Sequence, residues 1–192
     1  MSAATATSRF TLMPLAIPGV VAVTRRPVGD ARGFFSRLFC ADELAAAGWT
    51  WPIAQINHSY TAQAGTVRGM HYQHPPHAEA KLVSCLRGRV WDVAVDLRPG
   101  SPTFLQWCAQ ELSAENGAAL LIPPACAHGF QTLSDDVELL YVHSAPYVPL
   151  ADAGLNPQDP QLGLSWPLPV GIISDKDAQR PFLAPDFRGL PP

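Results

Sequence analysis

One stretch, Arg68 to Lys81 (RGMHYQHPPHAEAK), holds an arginine, three histidines, a glutamate and a lysine in a chain that is only 15% charged overall. An imidazole set among cations suits an anionic ligand with a proton to move. The imidazole exchanges the proton near neutral pH, and the cations hold the anion. A strand-like run, Gln55 to Tyr60, precedes the stretch, and a longer one, Lys81 to Arg98, follows it. The chemistry is therefore expected between strands.

His71 is the candidate base. A lone histidine on a strand is ordinarily a packed or surface residue, and the neighbours single this one out. Arg68 stands three positions before it and Lys81 ten after it. On a regular strand Arg68 and His71 would face opposite sides. Gly69 permits a bulge that brings both to one side. Gln55, Asn57 and Ser59 alternate onto one face, as a polar strip in a ligand cavity would. A metal set is the competing reading: His71, His74, His77 and Glu79, with His128 as a further donor. In the spacing HxxHxxHxE, His71 and His74 fall on opposite faces of a strand, and Pro75-Pro76 puts His74 and His77 in a turn. The ligands do not converge, and no metal is assigned. Pro123 to Phe130 (PPACAHGF), followed by Tyr141, and Ser174 to Asp177 (SDKD) are two further groups. By itself the first could be structural, a strand entry, and the second reads better as an exposed polar turn.

Short strands must position these residues. Twenty prolines and fourteen glycines in 192 residues argue against long helices. Strand-like runs are Val20 to Thr24, Phe34 to Phe39, Gln55 to Tyr60, Lys81 to Leu86, Val90 to Leu97, Thr103 to Leu112, Ala118 to Ile122, Gly129 to Leu133 and Val137 to His143, with a last one at Val170 to Ser174. Their recurrence about every ten residues is the spacing of a sandwich or barrel. Asp42 to Gly48 reads as a short helix, capped by Asp42 and ended by Gly48. In Val90 to Leu97, Trp91, Val93, Val95 and Leu97 share a core face, while Asp92 and Asp96 share the other, either solvated or lining a cavity. The chain suits one domain over residues 11–185, with tails at 1–10 and 186–192.

A net charge of -3 gives no general attraction to nucleic acid or anionic membrane. Four cysteines without CxxC spacing, and no secretory or membrane-spanning segment, point to reduced thiols in the cytoplasm.

Taken together, these stretches resemble the dTDP-4-dehydrorhamnose 3,5-epimerase family. The matching pieces run in order: DARGFF (Asp30 to Phe35), QINHS (Gln55 to Ser59), VRGMHYQHPPHAEAKLV (Val67 to Val83), GRVWDVAVDLRPGSPTF (Gly88 to Phe104), IPPACAHGF (Ile122 to Phe130), LLYVHSAPYVP (Leu139 to Pro149), LSWP (Leu164 to Pro167) and ISDKD (Ile173 to Asp177). The resemblance implies an all-β, cupin-type jelly roll with short peripheral helices, a homodimer, and no metal or other cofactor. It implies inversion at C3 and C5 of a nucleotide-linked 4-keto-6-deoxysugar through an enolate. His71 would be the general base, oriented by Asp177. Lys81 would stabilise the enolate oxygen, and Tyr141 would deliver a proton to the other face. Arg68 and Lys176 match diphosphate contacts, and Tyr147 an aromatic that stacks on the nucleotide base. Gln55, Asn57 and His128 complete the substrate-binding set. Arg32 and Phe35 match residues offered by the partner subunit.

Two departures stand out. Arg37 occupies a position where the family usually has a glutamate. On a continuous strand it shares the face of Phe35, so it is expected near the nucleotide. Ala125 and Cys126 replace a glycine and a phenylalanine. The competing readings are a single-position epimerase on another nucleotide sugar, a non-catalytic sugar-nucleotide-binding cupin, and a metal-dependent cupin enzyme.

Overall fold

The computed structural model describes residues 4–190. Its elements are β1 (Thr5–Ala6), β2 (Phe10–Pro14), β3 (Val21–Arg25), β4 (Val28–Asp30), β5 (Gly33–Phe35), α1 (Ala41–Leu44), β6 (Gln55–Thr61), β7 (Val67–Gln73), β8 (Lys81–Arg87), β9 (Arg89–Asp96), β10 (Trp107–Ser113), β11 (Ala118–Ile122), β12 (Cys126–Thr132), β13 (Val137–His143), β14 (Asp152–Gly154) and α2 (Asp175–Ala178). A seven-stranded sheet runs β1-β2-β3-β11-β8-β13-β6, and a five-stranded sheet runs β10-β9-β12-β7-β14. Every ladder in both is antiparallel. This is the all-β, cupin-type arrangement that the resemblance implies. No described helix is long and apolar enough to cross a membrane.

The core lies between the sheets, where Val83, Cys85, Leu120 and Leu139 of one meet Val90, Ala94, Leu112 and Phe130 of the other. Each sheet is also covered on its outer side. Leu44 and Trp49 pack over Leu82, Leu121 and Val142. Leu155, Leu162, Leu183 and Leu190 pack over Val93, Val95 and Ala127. Strands buried on both faces read as unbroken apolar runs, which is why Ala118–Ile122 was legible from sequence.

Several elements differ from the sequence reading. β7 is absent from the strand-like runs above, although the Gly69 bulge presupposes a strand there, because Arg68, His71 and Gln73 interrupt its apolar pattern; in the fold all three line the cavity. Val170 to Ser174 forms only a single bridge, Ile173 with Val67. The run from Thr103 pairs only from Trp107 onward, since Asp96 gathers the Ser101 and Thr103 hydroxyls into a turn at 2.5 and 2.6 Å. The short helix begins after Cys40, which has no side-chain cap, so Asp42 lies inside it; Gly48 ends the following 3-10 turn with φ 93°.

Both tails extend the packed chain. Thr5–Ala6 pairs with β2, and Leu190 is buried with its N–H on the Leu97 carbonyl at 2.7 Å. The described chain therefore packs past both ends of the 11–185 span, and residues 1–3 and 191–192 lie outside the described part.

Candidate active site

A cavity of about 300 Å³ opens between the sheets. The five-stranded sheet contributes Arg68, His71 and His128 to its wall, and the seven-stranded sheet contributes Asn57, Ser59, Lys81 and Tyr141. The predicted bulge brings Arg68 and His71 together. The β7–β12 register pairs His71 with His128 and then shifts before Arg68 pairs with Phe130. Gly69 sits in the shift at φ 133°, and a Cβ there would lie 2.5 Å from the Gly129 Cα. Only glycine tolerates both the angle and the approach.

His71 Nε2 lies 2.6 Å from Asp177 Oδ1. Asp177 is buried at 4% exposure; its other oxygen accepts the Gly69 N–H, and its own N–H is capped by the Ser174 hydroxyl. SDKD is thus the start of a short capped helix, exposed except at Asp177, rather than a turn. Burial pushes the Asp177 carboxyl up, but the His71 hydrogen bond and charge, helped by Gly69 and Ser174, outweigh it and hold the pKa below the usual carboxylate value. An ionised Asp177 can only accept, so Nε2 of His71 carries the hydrogen. Nδ1 is then the nitrogen free to take a proton.

Lys81 is buried and held by Glu79 Oε1 at 3.0 Å and the His71 carbonyl at 3.3 Å. An ammonium has three hydrogens, so one remains for a ligand oxygen. Tyr141 is hydrogen-bonded to Ser59 at 3.1 Å, and its ring meets His128 edge-on. Burial pushes its phenol far up, against the Ser59 bond, so it stays protonated as a donor. His128 bonds both oxygens of Asp92, at 3.1 and 3.0 Å. Asp92 is therefore turned inward beneath the cavity, not solvated. Asp96 is also buried, but serves the turn at Arg98 to Thr103.

Gln55 lines a smaller adjoining pocket of about 200 Å³ with Asn57 and Tyr147. Tyr147 donates its N–H to Gln55 Oε1 at 3.1 Å, and Gln55 donates to Asn57 Oδ1 at 3.1 Å. Lys176 stands beside the cavity, paired with Asp152 at 2.7 Å. His74 and His77 lie at the Pro75–Pro76 turn, where the His77 N–H bonds the His74 carbonyl, and among the described residues no three His, Cys, Asp or Glu side chains gather at one point.

Three predicted residues are not at this chain's cavity. Arg32 and Phe35 belong to the β4–β5 hairpin, which pairs only with itself. Arg32 bonds Asp30, and Phe34 and Phe35 are 78% and 66% exposed. Arg37 does not continue a strand with Phe35, since β5 ends there, and Glu43 captures its guanidinium at 2.5 Å. The strand face it was expected to share with Phe35 is corrected accordingly. The sequence reading also missed several cavity residues, among them Gln73, Glu79 in its pairing role, His143 and Asp152. His143 was recoverable, standing two residues after Tyr141 on one strand and so on the same face. Gln73 fixes the Tyr147 loop, accepting the Val148 N–H at 2.6 Å and donating to the Pro146 carbonyl at 3.1 Å.

Comparison with known proteins agrees with this geometry. The family model described as dTDP-4-dehydrorhamnose 3,5-epimerase matches residues 14–185. A dTDP-4-dehydrorhamnose 3,5-epimerase of Sinorhizobium fredii is 44% identical over 170 residues, 88% of this chain and 87% of that one. A dTDP-4-dehydrorhamnose 3-epimerase of Streptomyces niveus is 38% identical over 174 residues, 90% of this chain and 84% of that one. A crystal structure of dTDP-4-dehydrorhamnose 3,5-epimerase from Bacillus anthracis, with TDP and PPi bound, superposes with TM-score 0.87 at 38% identity, covering 91% of this chain and 99% of that one. With a family match over nearly the whole length and a fold and cavity to agree with it, the chain is an isomerase that belongs to the dTDP-4-dehydrorhamnose 3,5-epimerase family.

Proposed function

We propose that the chain inverts C3 and C5 of a dTDP-linked 4-keto-6-deoxyhexose, as a step in making a rhamnose-type deoxysugar. The observation that carries the reading is the placement of base and acid on opposite walls. His71, backed by Asp177, stands on the five-stranded sheet, and Tyr141 stands on the seven-stranded sheet across one cavity. Inversion requires a proton to leave one face of a carbon and return to the other.

In each half of the reaction His71 Nδ1 takes the proton alpha to the C4 ketone. The C–H electron pair moves to the C4 oxygen as an enolate. Lys81, itself buried and held in place, offers its remaining N–H to that oxygen, and a preorganised charge there acts strongly. Tyr141 then gives its phenolic proton to the opposite face of the carbon. His71 releases its proton and Tyr141 regains one by exchange with solvent, so nothing is consumed. Arg68 and Lys176 hold the diphosphate, His128 stands beside the sugar, and Tyr147 covers the nucleotide base beside Gln55 and Asn57.

The active form is a homodimer in this reading. Two exposed phenylalanines on a hairpin that, among the described residues, pairs with no other sheet suit a surface completed by a second copy, whose cavity would receive Arg32 and Phe35. Four unpaired cysteines support a reducing, cytoplasmic setting.

Incubation with dTDP-4-keto-6-deoxyglucose in D2O, followed by NMR, tests the reading. Deuterium is expected at both C3 and C5. Incorporation at C3 alone would make the chain a single-position epimerase, and binding without incorporation would make it a non-catalytic cupin.

A further inference from the structure

The cavity wall contains a charge arrangement that no sequence motif assigns. Asp152 lines the cavity, and a single oxygen, Oδ2, is reached by both Lys176 Nζ and Arg180 Nη2, each at 2.7 Å. The two cations are not equivalent. The Lys176 side chain is 60% exposed and the Arg180 side chain 13%. Arg180 is also pinned through its backbone, its N–H on the Asp177 carbonyl at 3.2 Å and its carbonyl taken by the Asn156 amide at 3.3 Å. Gly154 leaves room for it, since a Cβ there would come 3.0 Å from Arg180 Nε. That Nε is buried without a partner. Asp152 is therefore the side-chain group that compensates the buried guanidinium.

One carboxylate facing two cations leaves one positive charge over, and Arg68 adds a second on the same cavity wall. The buried arginine is fixed. The exposed lysine, on a flexible four-carbon stem, can move. We infer that Arg180 is a positioning residue for substrate: it keeps Asp152 neutralised, so that Lys176 can leave that carboxylate and take the diphosphate of the nucleotide sugar. The inference rests on the nucleotide-sugar reading above. Arg180 never touches the ligand in this scheme; it sets how tightly Asp152 retains Lys176. The segment 174–180 then does two jobs, placing Asp177 against His71 and arming Lys176.

Calorimetric titration with dTDP and with thymidine, which lacks the diphosphate, tests the inference. Arg180→Gln should weaken dTDP binding on the order of tenfold, because an uncompensated Asp152 grips Lys176 and repels the anion. Thymidine affinity should change by less than about twofold, as the lost interaction is with the diphosphate alone. Adding Asp152→Asn to Arg180→Gln should return dTDP affinity to within about threefold of wild type, a non-additivity that a packing role for Arg180 would not produce. Arg180→Lys, which keeps the charge, should bind dTDP nearly as wild type. Wild-type affinity in Arg180→Gln, or no recovery in the double variant, overturns the inference. If Arg180→Gln fails to fold, Asp152→Asn decides: release of Lys176 should tighten dTDP, and weaker binding overturns the inference. Failure of the wild-type protein to bind dTDP would instead overturn the nucleotide-sugar reading.

Discussion

Acidification should destabilise this protein through His143, a residue outside the proposed proton-transfer machinery. Its ring stacks on Tyr141 at 6.0 Å between centroids, its Nε2 lies 3.4 Å from the Asn57 amide, and it pairs in register with Lys81. Burial is the largest cause that lowers its pKa. The Lys81 ammonium and His128 add to it, Glu79 opposes them, and the result is about 4 against an ordinary 6.5. In the unfolded chain the imidazole takes its proton near the ordinary value, and in the folded chain only near the lower one. Between the two, the unfolded state binds more protons, so unfolding free energy falls as pH falls through that window. The difference, 6.5 minus 4, is 2.5 units, or roughly 3 kcal/mol as an upper bound. The side chain is only partly buried, and screening by solvent reduces the expected loss to about 1–2 kcal/mol. Urea unfolding of wild type and His143→Gln at pH 7 and pH 5, at one protein concentration, measures it. The wild type should lose about 1–2 kcal/mol more than the variant between those conditions. The carboxylates whose pKa values are depressed, Asp177 and Asp152 among them, lose their contribution only at lower pH. Equal pH dependence in both proteins would refute the assignment.

The remaining predictions concern catalysis and the backbone. His71→Ala should abolish substrate C–H exchange in D2O while circular dichroism shows the fold intact; exchange at the wild-type rate would remove His71 from the base role. Tyr141→Phe should retain exchange and lose net inversion, read by NMR of the product sugar, and a normal inversion rate would exclude it as the acid. Arg32→Ala and His71→Ala chains, each inactive alone, should regain activity when mixed and allowed to exchange subunits. Proven heterodimers without activity would place both residues in one subunit's site. Gly69→Ala should cost more than about 2 kcal/mol in urea unfolding, since the new Cβ meets Gly129 backbone at a left-handed angle; a loss below 0.5 kcal/mol would show that the bulge relaxes freely.

The elements legible from sequence are those whose side chains need no distant partner to declare themselves. β11 and β13 appear with the expected bounds because apolar runs of that length require burial wherever the chain goes. β7 was not legible as a strand, since an arginine and a histidine on a strand normally signal solvent. They are tolerated here because two sheets close around a polar cavity. The Asp92 ambiguity has the same origin: alternation says which residues share a face, and only the closing of the sheets says what that face meets. Arg37 marks the limit of periodicity. Carried past Phe35, strand alternation put it on the face of Phe35, but pairing stops at Phe35 and a carboxylate six residues later pairs with the guanidinium.

The site shows why residue types were readable and their partners were not. His71 and Asp177 are 106 positions apart, and Ser59 and Tyr141 are 82 apart. A buried carboxylate, a buried lysine and a half-buried tyrosine each cost free energy unless met by a specific group. Nothing near them in sequence supplies that group, so their presence signals a site before the fold says which one. The antiparallel pairings then choose the partners: β13 beside β6 brings Tyr141 to Ser59, and β7 beside β12 brings His71 to His128. Asp177 is the exception, delivered by a capped four-residue helix outside both sheets. His71, the base in the proposed mechanism, is therefore oriented by the part of the chain that the sheet topology fixes least. On this argument, the Ser174 cap and the Arg180 anchor, which secure that segment at its two ends, bear on catalysis as directly as the strands do.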